Sequence, residues 1–131
     1  MKKILLTMMV LFASLHAELT NEFPSQEILQ KHIPIVDIRT PAEWKETGIL
    51  KGAIPIMFFD EQGKFDIKKF LTELNAKVDT KKQFALICRT GSRTGMVSQF
   101  LSDKLHYDVI NLKGGMLFAK DKKLPIVPYN K

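Results

Sequence analysis

The stretch FALICRTGSR, residues 84–93, places a short apolar run directly before the only cysteine of the chain. The run from Phe84 to Ile87 has the length and composition of a buried strand in the middle of a sheet. Beyond the cysteine, apolar side chains recur at helical spacing, at Val97, Phe100, Leu101 and Leu105. The sequence therefore predicts that Cys88 lies at the carboxyl end of a central strand, in a short loop that leads into a helix.

The same alternation of strand and helix extends to both sides of this stretch. Further strands are predicted at residues 35–38, 53–56 and 109–112. Because proline interrupts strand pairing, Pro55 marks its strand as an edge or terminal one. Further helices are predicted just before residue 35, at residues 40–48 and at residues 67–74. Strands that alternate with helices predict an α/β fold, in which helices cover a parallel sheet.

Length and composition limit the number of domains and the kinds of partner. The chain of 131 residues is 45% hydrophobic, which provides apolar material for one core but hardly for two. Without Lys2 and Lys3, which belong to the segment described next, 18 basic and 14 acidic residues give a net charge of +4. Basic residues form no stripe interleaved with aromatic residues, so the charge favours small anionic ligands over nucleic acid. We expect one domain and no nucleic-acid partner.

Residues 1–17 have the pattern of a signal peptide. Two lysines precede an apolar run from Ile4 to Ala13, and small or polar residues follow it. An uncleaved membrane anchor is the alternative, but about 20 apolar residues are needed to cross a bilayer and this run is shorter. Cleavage after Ala17 would leave residues 18–131 as a periplasmic or secreted domain with no stable membrane anchor. One cysteine cannot form an internal disulfide there, so the thiol is either buried and inert or exposed and used.

The loop that follows Cys88 has the composition of an anion-binding turn. Its backbone N–H groups can point inward around the sulfur because Gly91 permits the turn, and a helix N-terminus follows directly. The helix dipole and the flanking Arg89 and Arg93 favour the thiolate over the thiol. A buried structural thiol is the alternative for a lone cysteine. The combination of strand, basic glycine loop and helix favours a reactive one.

Three segments together resemble the rhodanese family of sulfurtransferases. IVDIRTPAEWKETGILKGAIPI, residues 35–56, resembles the first signature of the family. CRTGSR, residues 88–93, resembles its active-site loop, and VINLKGGM, residues 109–116, resembles the segment that closes the pocket. Residues 18–131 are therefore identified as one rhodanese-like domain. The resemblance implies a parallel five-stranded sheet with helices on both faces and a catalytic cysteine that carries a persulfide.

The resemblance also assigns roles to the residues of the loop. Cys88 is the nucleophile and sulfur carrier, and the substrate is bound by Arg89, Thr90, Gly91, Ser92 and Arg93. The implied reaction moves a sulfane sulfur from a donor such as thiosulfate to a thiol or cyanide. Arg89 would meet the small anionic donor, and the acceptor could be a protein thiol. No metal or cofactor is expected, because the three histidines are scattered and one cysteine cannot build a thiolate site.

Other activities remain open for a loop of this kind. Dual-specificity phosphatases of related architecture hold phosphate in a loop one residue longer than the four residues that separate Cys88 from Arg93. The shorter loop favours sulfur transfer over phosphatase activity, and arsenate reduction by a related enzyme is a further alternative. Rhodanese-like domains also serve as non-catalytic binding modules or sulfur-carrier partners, although such modules often lack the cysteine.

Structural support is expected from charged residues of the first signature. Asp37 and Arg39 match the Asp-x-Arg step of the family, which ties the first strand to neighbouring loops. Glu43 is expected to pair with Arg39. These residues are therefore predicted to support the architecture and not to take part in the chemistry.

Two residues depart from the family pattern. Ile49 follows Gly48 where many relatives have a histidine, so the hydrogen bond of that histidine is missing or replaced. Phe118 stands where tryptophan is usual, which could reshape the pocket wall. Together with Met116 and Leu117, Phe118 is expected at the rim of the pocket.

Overall fold

The computed structural model describes residues 18–130, so the predicted signal peptide at residues 1–17 lies outside the described residues. The strands of this part are β1 Leu19–Glu22, β2 Ile35–Asp37, β3 Ile49–Leu50, β4 Ile54–Pro55, β5 Phe84–Ile87, β6 Val109–Leu112 and β7 Ile126–Val127. Its helices are α1 Gln26–Gln30, α2 Pro41–Thr47, α3 Ile67–Lys77, α4 Ser92–Leu105 and α5 Gly115–Asp121. No helix within residues 18–130 is long and apolar enough to cross a membrane.

Five of the strands form one sheet, in the order β1-β6-β5-β2-β4, and every neighbouring pair is parallel. The middle strand is β5, so Cys88 follows the central strand as predicted. The edge strand β4 contains Pro55, whose nitrogen has no hydrogen to donate to a further strand. The short strands β3 and β7 form a separate antiparallel pair. The predicted α/β fold with a parallel five-stranded sheet is confirmed.

Helices cover both faces of the sheet because side chains alternate along each strand. Val36, Leu86 and Val109 point to one face, where they pack in a single apolar cluster with Phe70 and Leu74 of α3 and with residues of α4. The next residue of each strand points to the other face, which α1, α2 and α5 cover with a second cluster around Ile28, Trp44 and Met116. Each face of the sheet therefore has its own core.

Several elements were not predicted from the sequence. Strand β1, with the largely polar sequence LTNE, pairs in parallel with β6 along its whole length. Helix α5 begins at the second of two adjacent glycines, which disfavour helix in isolation. The pair of β3 and β7 joins residues almost eighty positions apart. In all three cases tertiary contacts override a weak local preference.

The loops that carry the chemistry meet at one edge of the sheet. Because the strands are parallel, all their carboxyl ends lie at this edge, where ligands gather in open α/β sheets. Strand β2 ends there at Asp37, β5 at Ile87 and β6 at Leu112. The segments that begin with Ile38, Cys88 and Lys113 are therefore neighbours in space.

Candidate active site

The sulfur of Cys88 lies at the bottom of a short turn between β5 and α4. The residue is 1% exposed and packs in the apolar cluster beneath α4. Its Sγ accepts a hydrogen bond from the backbone N–H of Gly91 at 3.2 Å. The hydroxyl of Thr94 is 3.5 Å from the same sulfur. The thiol is thus buried, yet polar groups of its own loop hold it. The predicted choice between a buried inert thiol and an exposed reactive one was therefore too narrow, because burial here does not separate the sulfur from polar groups.

Helix α4 begins without a side-chain cap. Its N-cap is Gly91, with φ of 97°, and no side-chain hydrogen bond closes this end. Glycine adopts this left-handed backbone without strain, and the turn directs the Gly91 N–H toward the sulfur. The first N–H groups of an α-helix have no partner within the helix, so those of Ser92, Arg93 and Thr94 remain available to an anion.

The side chains of the predicted loop differ in exposure. Arg89, Thr90 and Ser92 are exposed, and the hydroxyls of Thr90 and Ser92 lie 3.1 Å apart. Arg93 is partly buried. Of the two arginines of the loop, Arg89 is therefore the one that is exposed to solvent.

Two backbone hydrogen bonds attach α5 to the cysteine loop. The N–H of Met116 donates to the carbonyl of Cys88 at 2.9 Å, and the N–H of Leu117 donates to that of Arg89 at 3.1 Å. Gly115 makes this approach possible, since a Cβ at this position would collide with the Cys88 and Arg89 carbonyls. The double glycine of the sequence therefore serves a close approach of two backbones, which fixes the carbonyl side of the cysteine.

Arg93 is paired with Glu43 by two parallel hydrogen bonds of 2.6 and 2.7 Å. The expected pairing of Glu43 with Arg39 is wrong, because Glu43 in the first turn of α2 faces the first turn of α4 instead. The hydrogen bond from Arg93 lowers the pKa of the Glu43 carboxyl, and the bond to Glu43 raises the pKa of Arg93. The side chains are 27% and 25% exposed, and the pair joins the two helices beside the sulfur.

Arg39 turns back onto Asp37 and is almost completely buried. Their ion pair measures 2.8 Å, with side chains 1% and 0% exposed. The guanidinium also donates to the Thr47 hydroxyl at 2.7 Å and to the Gly48 carbonyl at 2.8 Å, which ties β2 to the end of α2. Asp37 in addition accepts the indole N–H of Trp44 at 3.1 Å. All three guanidinium nitrogens of Arg39 thus donate within this network, and none of their hydrogen bonds goes to Glu43.

An open pocket of about 810 Å³ lies beside the cysteine loop. Its walls are formed by residues of α2, the loop, α5 and β7, namely Arg39, Glu43, Glu46, Thr47, Arg89, Met116, Leu117, Lys120 and Ile126. Arg89 and Lys120 contribute positive charge for which no ion pair is recorded within residues 18–130. In the same part of the chain, no group of three or more His, Cys, Asp or Glu side chains is arranged to hold a metal ion.

The two departures from the family pattern have separate structural explanations. Ile49 lies in β3, pairs with Val127 and is buried in the apolar cluster under α2. An apolar side chain therefore suits this position in the present chain. Phe118 packs on Phe23 with ring centroids 4.6 Å apart and the rings tilted by 31°. Its expected place at the rim beside Met116 and Leu117 is wrong, because it lines a different pocket.

Thr94 was not among the residues predicted for the site. It is fully buried, and its hydroxyl donates to the Gly91 carbonyl at 3.1 Å while lying 3.5 Å from the sulfur. A signal was present in the sequence, because Thr94 precedes Val97 by three residues and Leu101 by seven, which places it on the buried face of α4.

Comparison with known proteins gives the relatives of this chain. Residues 17–118 match the family described as Rhodanese-like domain. A protein of Allochromatium vinosum named Sulfurtransferase is 27% identical over 114 residues, which cover 83% of this chain and 96% of that protein. The uncharacterized protein RP600 of Rickettsia prowazekii is 31% identical over 91 residues, or 67% of this chain and 72% of that protein.

Solved structures share the fold. Rv0390 from M. tuberculosis superposes with a TM-score of 0.67 at 16% identity and covers 86% of this chain and 100% of its own. A rhodanese-like domain protein from Staphylococcus aureus superposes with a TM-score of 0.61 at 21% identity, over 82% and 98% of the two chains. At such identities the likeness concerns the fold alone.

Proposed function

Because this chain belongs to the family of rhodanese-like domains, we propose that it is a sulfurtransferase that carries sulfur as a persulfide on Cys88. One observation carries this function: the Cys88 sulfur accepts the Gly91 N–H at the uncapped N-terminus of α4. Backbone dipoles directed at a sulfur stabilise negative charge on it, and both thiolate and persulfide are anions. A neutral thiol gains less from these dipoles than an anionic sulfur does, so the arrangement supports a reactive cysteine.

In the first half of the reaction, the Cys88 thiolate attacks the outer sulfur of a donor such as thiosulfate. A bond forms between the two sulfurs, and the bond between the donor sulfurs breaks. The electron pair of the broken bond leaves with sulfite, and the negative charge of the enzyme moves to the outer sulfur of the persulfide. The unpaired N–H groups at the start of α4 would stabilise this charge.

In the second half, a thiolate or cyanide attacks the outer sulfur of the persulfide. The sulfur–sulfur bond breaks and its electron pair returns to Cys88 as the thiolate. No electrons are lost or gained overall, so the cycle needs no external oxidant or reductant. The hydrogen bond from Gly91 stabilises the departing thiolate and thus supports this step as well as the first.

The donor we propose is a small sulfur-containing anion, and the acceptor is a thiol or cyanide. Arg89 and Lys120 are the cations of the pocket that would attract such a donor. Arg93 is expected to contribute less charge to substrate, because Glu43 neutralises it. A protein thiol is included among the acceptors, because the pocket beside the loop is open and Arg89 at its edge is exposed.

The compartment that we propose is the periplasm or the outside of the cell. The support for this compartment is the sequence of residues 1–17. Two lysines there precede an apolar run, as in a cleaved signal peptide. N-terminal sequencing of the protein recovered from fractionated cells tests this: a mature terminus near Glu18 in the exported fraction is expected. An intact Met1 in the cytosolic fraction would contradict it.

Persulfide formation is tested by the intact mass of the protein after brief exposure to thiosulfate. We expect a gain of one sulfur atom that cyanide removes with the formation of thiocyanate. Cys88→Ser should show no gain. Arg89→Met is a second variant, in which the sulfur remains but loading at low thiosulfate concentration should slow about tenfold, because the attracting charge is lost.

Sulfur transfer would be contradicted by a failure of the folded protein to take up sulfur. If neither thiosulfate nor polysulfide adds sulfur to folded protein, the domain is a binding module or acts on another anion. Phosphatase and arsenate reductase assays would then separate these remaining activities. A gain of mass that persists in Cys88→Ser would show that sulfur attaches elsewhere.

A further inference from the structure

The hydroxyl of Thr94 lies between two possible acceptors of its single proton. On one side is the Gly91 carbonyl at 3.1 Å, and on the other is the Cys88 sulfur at 3.5 Å. A carbonyl oxygen cannot donate, so the hydrogen bond to Gly91 requires that the Thr94 proton point toward that carbonyl. An oxygen lone pair of Thr94 then faces the sulfur and can accept the S–H of a neutral thiol.

This arrangement suits the thiol but not the thiolate. When Cys88 loses its proton, an anionic sulfur faces an oxygen lone pair, and the contact becomes repulsive. Rotation about the Thr94 Cβ–Oγ bond turns the proton to the sulfur and converts the repulsion into a charge-assisted hydrogen bond. The Gly91 carbonyl is not left without a donor, because it also accepts the N–H of Gly95 at 3.0 Å.

We propose that Thr94 is a catalytic residue whose hydroxyl rotates during each cycle, so that its proton points in turn to the Gly91 carbonyl and to the Cys88 sulfur. The proton points to the sulfur in the thiolate and returns to the carbonyl in the thiol and the persulfide. This role deepens the proposed sulfur transfer and rests on it. No covalent bond of Thr94 changes, because the hydroxyl only rotates.

The hydrogen bond from Thr94 to the sulfur should accelerate the second half of the reaction most. There the Cys88 thiolate is the leaving group, so a hydrogen bond that forms as charge develops lowers the barrier. In the first half the same bond raises the fraction of thiolate but makes it a weaker nucleophile, so the two effects oppose each other. Removal of the hydroxyl should therefore slow discharge of the persulfide more than its formation.

Other charged groups near the sulfur are unchanged by substitution at Thr94. Arg93 interacts electrostatically with Cys88 and is paired with Glu43, while the pair Asp37–Arg39 lies at the end of the neighbouring strand. Arg89 adjoins the cysteine and is exposed. A change in the reactivity of the thiol on loss of the hydroxyl would thus report Thr94 itself.

The test compares Thr94→Val, which removes the hydroxyl, with Thr94→Ser, which keeps it. Protein preloaded with sulfur is mixed with cyanide, and the single-turnover rate of thiocyanate formation is measured. We expect the rate to fall about tenfold or more in Thr94→Val and to stay near that of the unmodified protein in Thr94→Ser. The rate of alkylation by iodoacetamide at neutral pH should also fall in Thr94→Val, but by less than the rate of discharge, because the smaller fraction of thiolate is partly offset by its greater nucleophilicity.

Ser98→Ala is the matched control. Ser98 lies one turn further along the same buried face of α4, and its hydroxyl has no hydrogen-bond partner among the described residues. Its loss should leave discharge and alkylation unchanged. If Thr94→Val does not fold, Thr94→Ala removes the same hydroxyl with less bulk and is measured in its place.

The role is overturned if a folded variant without the hydroxyl discharges sulfur at the rate of the unmodified protein. It is also overturned if Ser98→Ala slows discharge as much as Thr94→Val does, because the effect would then be structural. Failure of the unmodified protein to take up sulfur would contradict the proposed function instead. Alkylation needs no sulfur transfer and would still show whether Thr94 stabilises the thiolate.

Discussion

Two loops at the same edge of the sheet lead from a strand into a helix, yet their polar groups are used differently. Between β2 and α2, Thr40 caps the helix, its side chain accepts the Glu43 N–H, and Glu43 returns a contact to the Thr40 backbone. Between β5 and α4, the helix has no side-chain cap, and the Gly91 N–H donates to a sulfur. The first loop closes its helix with protein groups, whereas the second leaves its helix open to a ligand.

The ion pairs of the two loops differ in the same sense. Asp37 and Arg39 are buried and form a closed network with Thr47, Gly48 and Trp44. Arg93 is about one quarter exposed and binds Glu43 across the gap between the helices. Glu43 thus belongs to both loops, as a capping residue of α2 and as the partner of Arg93. Through Glu43, the closed loop between β2 and α2 therefore supports the open loop between β5 and α4.

The largest effect is expected for the closed loop. Arg39→Met leaves the buried Asp37 carboxylate without its cation, so the free energy of unfolding should fall by about 3 kcal/mol or more. Chemical denaturation measures this. The exposed Arg89→Met is the control and should change stability by less than about 0.5 kcal/mol. Equal losses in both variants would break the distinction between a structural and a substrate-facing arginine.

An intermediate effect is expected where α5 is attached to the open loop. Gly115→Ala places a methyl group against the Cys88 and Arg89 carbonyls, so α5 must move away. Stability should fall by about 2 kcal/mol, and persulfide discharge should slow because the cysteine loop loses its support. Thermal unfolding and the thiocyanate assay measure the two effects.

Gly52→Ala is the control for this substitution. Gly52 also has a positive φ, of 83°, but a Cβ there would meet no atom within 4 Å. Backbone strain alone should lower stability by about 1 kcal/mol and leave sulfur transfer unchanged. If Gly52→Ala impaired transfer as much as Gly115→Ala, close approach at the loop would not be the cause.

The smallest effect concerns Glu43, the residue that links the two loops. Its pKa is lowered in the folded state by the hydrogen bond from Arg93, so the folded protein releases this proton more readily than the unfolded chain. The resulting stability is present above the ordinary glutamate pKa of about 4.3 and is lost as the pH falls through the lower folded value. Glu43→Gln should therefore lower stability by about 1 kcal/mol near neutral pH, with a smaller difference in acid.

Denaturation curves across this pH range check the expectation. Glu46→Gln, on the exposed side of the same helix, is the control and should change stability near neutral pH by less than about 0.5 kcal/mol. A loss in Glu43→Gln that is independent of pH would mean that packing or capping, and not the ion pair with Arg93, carries the effect.

Much of the fold could be predicted because strong local patterns coincide with it. Strand β5 is a continuous apolar run and β2 and β6 each contain a single polar residue, as expected for buried parallel strands. Thr40 and Pro41 begin α2 as capping preferences predict. Strand β1 gave no such signal, since its polar sequence becomes a strand only beside β6.

The candidate site was predictable in its centre but not in its contacts. Cys88 and Gly91 belong to one short segment, so their proximity follows from chain connectivity. The partner of Glu43 lies 50 residues away, and the preference for Arg93 over Arg39 depends on how α2 faces α4. Thr94 could have been found from its place on the buried face of α4, had that periodicity been applied to polar residues as well.

The sequence alone determined the alternation of the main strands and helices, the place of the cysteine after the central strand and the resemblance to the rhodanese family. These features depend on local propensity, on the period of the apolar pattern and on short motifs. Only the tertiary structure decided which arginine Glu43 binds, that Gly115 brings α5 against the cysteine loop, and that the Thr94 hydroxyl reaches the sulfur. The reason is physical: hydrogen bonds and close backbone contacts depend on distances of a few tenths of an ångström, which are set by packing between elements remote in the chain.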